Sequence, residues 1–107
     1  MAFIKTKAAA SLGTTATNIF DVINTSGADL GNIHICNVTS SQKQLFMSVV
    51  PTGSTMVSGN AIVWDVGIGP SGFLSISQPL FLASGDKMQG SGSAVGLNAY
   101  VSYIKLN

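Results

Sequence analysis

The sequence contains no arginine and no glutamate. Its ionic side chains are five lysines and four aspartates, and with one histidine the formal net charge is +1. Charged residues fill 8% of the 107 positions, against about 25% in an ordinary soluble domain. Nucleic-acid binding through phosphate neutralisation needs a clustered basic footprint, which five scattered lysines beside four aspartates do not make. The scarcity of solvated helix formers argues against a helical bundle. One cysteine, Cys36, cannot close an internal disulfide, which fits a chain made in a reducing cytosol. No apolar run reaches the ~18 residues of a membrane-spanning helix. Lys5 and Lys7 follow apolar residues rather than precede a long apolar stretch, so no secretory signal is expected. Without secretion, Asn24-Thr25-Ser26 and Asn37-Val38-Thr39 are turn and strand-end residues rather than glycosylation acceptors.

What replaces charge is neutral polarity: 14 serines, 8 threonines, 7 asparagines and 4 glutamines, with 12 glycines, beside 46% apolar residues. A mean hydropathy of +0.43 excludes disorder. The apolar pattern has period two. Ile4, Thr6 and Ala8, then Ile33 and Ile35, Leu45, Met47 and Val49, Ile62, Trp64 and Val66, Leu74 and Ile76, and Ala99, Val101 and Tyr103 each share one face of a ribbon. Breaker-rich segments separate these runs, at residues 24–27, 38–41, 51–54, 67–72, 83–86 and 90–93. Ala8 to Leu12 has the composition for one helical turn, which Gly13 ends. Seven or eight short strands at this spacing predict an all-β fold, a single antiparallel β-sandwich of jelly-roll or immunoglobulin-like type. It is expected to span residues 1–107, with 1–7 as an N-terminal arm or first strand.

Several ribbons are apolar on both faces. Phe46 and Val50 lie opposite Leu45, Val63 lies opposite Trp64, and Leu80-Phe81-Leu82 is apolar throughout. A sheet with one buried face needs apolar residues on that face only. The surplus therefore predicts burial against other subunits or a shell, through Phe3, Phe46, Val50, Val63 and Phe81. The alternative is cover by the chain's own loops.

Candidate chemistry is sparse. Gly67-Ile68-Gly69-Pro70-Ser71-Gly72 fits G-x-G-x-x-G, but a dinucleotide site needs a helix next, and Phe73 to Ser77 has a strand pattern. His34 and Cys36 share one face of a strand, too few for a structural zinc site and without the oxyanion site that thiol catalysis needs. Asp21, Asp29, Asp65 and Asp86 form no D-x-D pair, so neither calcium binding nor paired-carboxylate hydrolysis is expected. No G-x-S-x-G elbow occurs. No enzyme activity, cofactor or metal is expected. Trp64, Tyr100, Tyr103 and Phe73 read as core and interface aromatics, or as a sugar-binding or base-stacking platform.

Three segments carry a resemblance. Ile33-His34-Ile35-Cys36-Asn37-Val38-Thr39-Ser40-Ser41 reads as a strand ending in Asn and a Ser/Thr turn. Gln78-Pro79-Leu80-Phe81-Leu82-Ala83-Ser84-Gly85-Asp86-Lys87-Met88 carries a Gly-Asp-Lys turn, and Leu97 to Leu106 closes the chain. This order, over residues 30–106, resembles small β-sandwich virion proteins of tailed bacteriophages. The resemblance implies a structural, non-enzymatic protein located in the virion after synthesis in the host cytoplasm. It implies a capsid decoration or cement protein, a homo-oligomer with a trimer favoured, bound to the major capsid protein or another virion protein. Tail, collar, baseplate or fibre attachment is the alternative placement. A carbohydrate-binding module using Trp64 or a tyrosine is the alternative from another class. Neither nucleic acid nor membrane is an expected partner.

Overall fold

The computed structural model describes residues 3–23, 26–77 and 80–106. Among the described residues nine strands follow one another: β1 (Phe3–Leu12), β2 (Thr17–Asp21), β3 (Gly27–Asn37), β4 (Lys43–Val50), β5 (Ala61–Ile68), β6 (Phe73–Ile76), β7 (Phe81–Ala83), β8 (Lys87–Gly92) and β9 (Leu97–Leu106). Asn24 and Thr25 of the expected 24–27 turn, Gln78 and Pro79 at the start of the 78–88 segment, and Met1 and Ala2 of the expected arm lie outside the described residues. Every strand pairing is antiparallel.

One sheet has the order β1-β9-β3-β6, with β7 also on β3; the other has the order β2-β8-β4-β5. β6 pairs with Ile33–Cys36 and β7 with Gly27–Asp29, and the Leu30 amide donates to the Leu80 carbonyl between them at 2.8 Å. They are two halves of one interrupted edge strand. Counted so, the sheets hold four strands each. The chain switches sheets at every connection except β4 to β5 and the β6–β7 interruption. This is jelly-roll order, two interleaved Greek keys, and it settles the expected sandwich as the jelly-roll type.

The register explains the core. Ile33 pairs with Val101 on one side and Ile76 on the other, and Ile35 with Ala99 and Leu74. These inward rows meet Leu45, Met47 and Met88 of the opposite sheet, all fully buried. Each such side chain contributes about 1.5–3 kcal/mol of transfer free energy. Phe20 of β2 and Tyr103 of β9 stack across the sandwich, with ring centroids 4.2 Å apart and planes at 7°.

Four local readings change. Ala8–Leu12 forms no helical turn; it continues β1, paired residue by residue with β9 as far as Leu12 on Leu97, because sheet pairing outweighs alanine's helix propensity. Gly90-Ser91-Gly92 is strand, not turn. Gly90 is buried where an added Cβ would meet Leu12 and Ile19 at 3.2–3.4 Å, so packing demands glycine inside a strand. Trp64 and Val66 do not share a face: the register of β5 on β4 shifts between their pairings with Phe46 and Leu45. Asp65, with φ of 59°, is the extra residue of this bulge. Finally, Val50 is fully buried although it stands outside the main core cluster. The connection 51–60 closes over the outer end of β4, where Ser48 Oγ donates to the Val57 carbonyl at 3.4 Å.

Candidate functional site

Three surfaces carry side chains that the core does not absorb. The first is the outer face of the β2-β8-β4-β5 sheet. Gln44 and Phe46 alternate outward from Leu45 and Met47 along β4. Phe46 meets Trp64 edge to face, with centroids 5.0 Å apart and planes at 78°. The bulge turns both Trp64 and Asp65 to the surface, since regular alternation would send one of two neighbours inward. Gln44 Nε2 donates to Asp65 Oδ1 at 3.0 Å and to the Asp65 carbonyl at 3.2 Å. Gln42 Nε2 donates to Gln44 Oε1 at 3.0 Å. Farther along, Gln89 Nε2 donates to Asn18 Oδ1 at 2.6 Å.

The second surface is the outer face and free edge of the other sheet. His34 stacks on Phe73 at 5.2 Å. Ser75 and Ser77 hydroxyls donate to Asn32 Oδ1 at 3.3 and 2.9 Å. Phe73 and Phe81 stand on the two halves of the interrupted edge strand, 67% and 58% exposed. The Phe81 ring lies against Gly27, where an added Cβ would come within 2.6 Å of it, so the bare backbone seats the ring. An open depression of about 450 Å³ lies at the opposite edge, lined by Lys5, Thr6, Lys7, Tyr100 and Ser102.

The third is the end of the sandwich where the 38–42, 69–72 and 93–96 connections meet. Buried Asn37 ties the first two together. Its Nδ2 donates to the carbonyls of Ser41, Ile68 and Gly69 at 2.9, 2.9 and 3.1 Å. Its Oδ1 accepts from Thr39 N and Oγ1 at 3.0 and 2.7 Å. The Val38 amide donates to the Gly96 carbonyl at 3.0 Å. Val38 and Val95 stand out from this tied end, 62% and 70% exposed. Apolar residues inside breaker-rich loops were the sequence signal for them.

The sequence-level candidates fall as follows. Gly67–Gly72 runs from β5 into β6 through a turn in which the Gly72 amide donates to the Gly69 carbonyl at 2.9 Å; a strand, not a helix, follows. His34 and Cys36 share the outer face of β3, and Cys36 is a half-buried free thiol. Among the described residues no three His, Cys, Asp or Glu side chains gather as a metal site. Asp86 Oδ2 accepts the Ala83 amide at 2.9 Å, closing the β7–β8 turn. Of the five expected contact residues, Val63 points into the core at 8% exposure and Val50 is covered by the chain itself. Phe46 is half-buried beside Trp64, and Phe81 is exposed. The side chain of Phe3 lies outside the described residues.

No family model and no curated protein matches the sequence. Solved structures do. A chain from the acid-stable capsid of Helicobacter pylori bacteriophage KHP30 is similar over 99% of this chain and 89% of its own, at 8% identity and a TM-score of 0.60. A chain from Bacillus endospore appendages, described as disulfide-linked pili, is similar over 99% and 87%, at 13% identity and a TM-score of 0.58. At these identities the likeness is one of fold. Among the described residues no helix is long and apolar enough to cross a membrane.

Proposed function

We propose that this protein is a non-enzymatic structural subunit of a virion. In this reading it is a capsid decoration or cement protein of a tailed bacteriophage that oligomerises, as a trimer, and binds the major capsid protein. The observation that carries the reading is the pair Phe73 and Phe81, left outward on one interrupted edge. A half-exposed sheet edge presents unpaired backbone groups, which soluble proteins protect with short strands, charge, proline or bulges. Here the two halves of the strand, Phe73–Ile76 and Phe81–Ala83, carry no charged residue. Cover by a neighbouring copy or by the shell removes both costs. A standard contact takes about 800 Å² from each partner, a modest share of the 5517 Å² surface.

Low charge supports the same reading. Hydroxyl and amide groups are buried at smaller desolvation cost than ions, so a surface rich in them suits contacts repeated at high copy number, where avidity replaces any single strong site. Binding to surface present only in the assembled shell stabilises that shell by mass action. The jelly-roll likeness to a chain of a phage capsid is in keeping with this.

The test is quantitative mass spectrometry of purified particles from an infected culture of the source phage. The reading expects this chain at a copy number comparable with that of the major capsid protein. Absence from intact particles contradicts it, and a count of only a few copies moves the protein to the tail, collar or baseplate.

A further inference from the structure

We propose that the outer face of β4 and β5 around Trp64 is a binding site for an uncharged glycan. It is a surface separate from the Phe73–Phe81 edge. Four observations converge on one ligand chemistry.

Trp64, the only tryptophan, is 43% exposed, and Phe46 holds its ring edge-on at 5.0 Å. A large aromatic ring held at the surface gives a flat apolar platform, which suits the C–H face of a sugar ring. Second, the bulge places a carboxylate directly beside that platform. Asp65 adopts a φ of 59°, which a residue other than glycine takes up only at a cost. The result is that Trp64 and Asp65 face outward together. Third, the carboxylate is oriented. Gln44 Nε2 occupies Oδ1, and Gln42 in turn holds Gln44. Among the described residues none bonds to Oδ2, which can accept from a ligand hydroxyl, the only role an ionised carboxylate oxygen can play. Fourth, the surroundings are neutral. Lys43, the lysine of β4, is turned to Ser41 Oγ at 2.9 Å, and Ser91 pairs beside Phe46. One negative group, for which no ion pair is formed among the described residues, repels sulfated or carboxylated sugars and accepts hydroxyls. An apolar surface with a few placed polar groups is how small-molecule sites obtain orientation and specificity.

Because Trp64 is the sole indole, its emission reports the site directly. The experiment titrates the full chain with cellohexaose, chitohexaose, maltohexaose and mannohexaose, and in parallel with sulfated cellohexaose. At least one neutral hexasaccharide is expected to change the Trp64 emission saturably, and the sulfated sugar to bind at least several-fold more weakly than its parent. By calorimetry, Trp64→Ala should lose roughly tenfold in affinity, the equivalent of one aromatic contact. Asp65→Asn tolerates the same backbone conformation and tests the carboxylate without risking the fold; it should lose several-fold. The proposal is overturned if none of the four sugars changes the emission up to its solubility limit, or if Asp65→Asn and Trp64→Ala bind as the parent does. It is also overturned if acrylamide fails to quench Trp64 in the purified protein, which would make this face a protein contact.

Discussion

The Asn37 side-chain nitrogen lies 2.9 Å from the carbonyl oxygen of Ile68, 31 residues further along the chain. This bond joins the end of β3, in one sheet, to the end of β5, in the other. The same amide holds the 38–42 turn through Ser41 and Thr39. One fully buried polar side chain thus replaces the missing regular pairing where two connections leave the sandwich.

Removing it leaves buried carbonyl and amide groups without partners, at about 1–3 kcal/mol for each group that water cannot reach. Asn37→Ala is therefore expected to destabilise the fold by about 2–4 kcal/mol in urea titration. Asn37→Asp should be no milder, because a carboxylate cannot donate to the three carbonyls that face it. An unchanged urea midpoint for both variants would contradict this role.

Gly96 makes a second test at the same end. Its φ is +120°, and an added Cβ would run into Thr39 Cγ2. Gly96→Ala is expected to cost about 1–3 kcal/mol, with Thr39→Ser in the same chain recovering part of the loss by removing the methyl group. Thermal unfolding of the single and double variants measures both effects.

Across the middle of the sandwich, Phe20 and Tyr103 carry the stack between sheets. Phe20→Ala should destabilise by about 3–5 kcal/mol through lost transfer energy and the cavity left behind. Tyr103→Phe keeps the ring and should cost less than about 1 kcal/mol. If Tyr103→Phe proved as damaging as Phe20→Ala, its hydroxyl rather than the stack would be the important group.

Much of this was readable from alternation. Ile33, Ile35, Leu45, Met47 and Val101 face inward as period two requires, and the turns at 38–41, 51–54 and 83–86 separate strands as their residues suggest. The failures share a cause: partners distant in sequence overrode a local preference. Gly90 and Gly92 look like a turn until Leu12, Ile19 and Leu97 fill the space above them. Ala8-Ala9-Ala10 looks helical until β9 pairs with it. Asp65 gives no sign that it is a bulge, since its φ is fixed by the pairing of β5 on β4. That one residue decides that Val63 enters the core while Trp64 and Asp65 share the surface. Phe73 faces outward because Leu74 pairs with Ile35, and Phe81 because Leu82 pairs with Ala28; that both stand on one edge of β3 depends on pairing partners that composition alone does not locate.

The edge carries its own prediction. Phe73→Ser and Phe81→Ser replace exposed rings that pack on the chain through the His34 stack and the Gly27 seat, so the fold should change by about 1 kcal/mol each. If the rings anchor a contact between copies, the double variant should weaken self-association by roughly 30-fold or more, as central aromatic contacts do. Val50→Ser reverses the pattern: it should destabilise the fold, because Val50 is buried within the chain.

The most direct measurement is the mass of the purified protein by light scattering across a hundredfold range of concentration, beside the Phe73→Ser, Phe81→Ser variant. The account predicts a species near three times the 11.0 kDa chain mass that the variant shifts to the single-chain mass without unfolding. A parent chain that stays at 11.0 kDa throughout, or an oligomer that the double variant leaves intact, would contradict it.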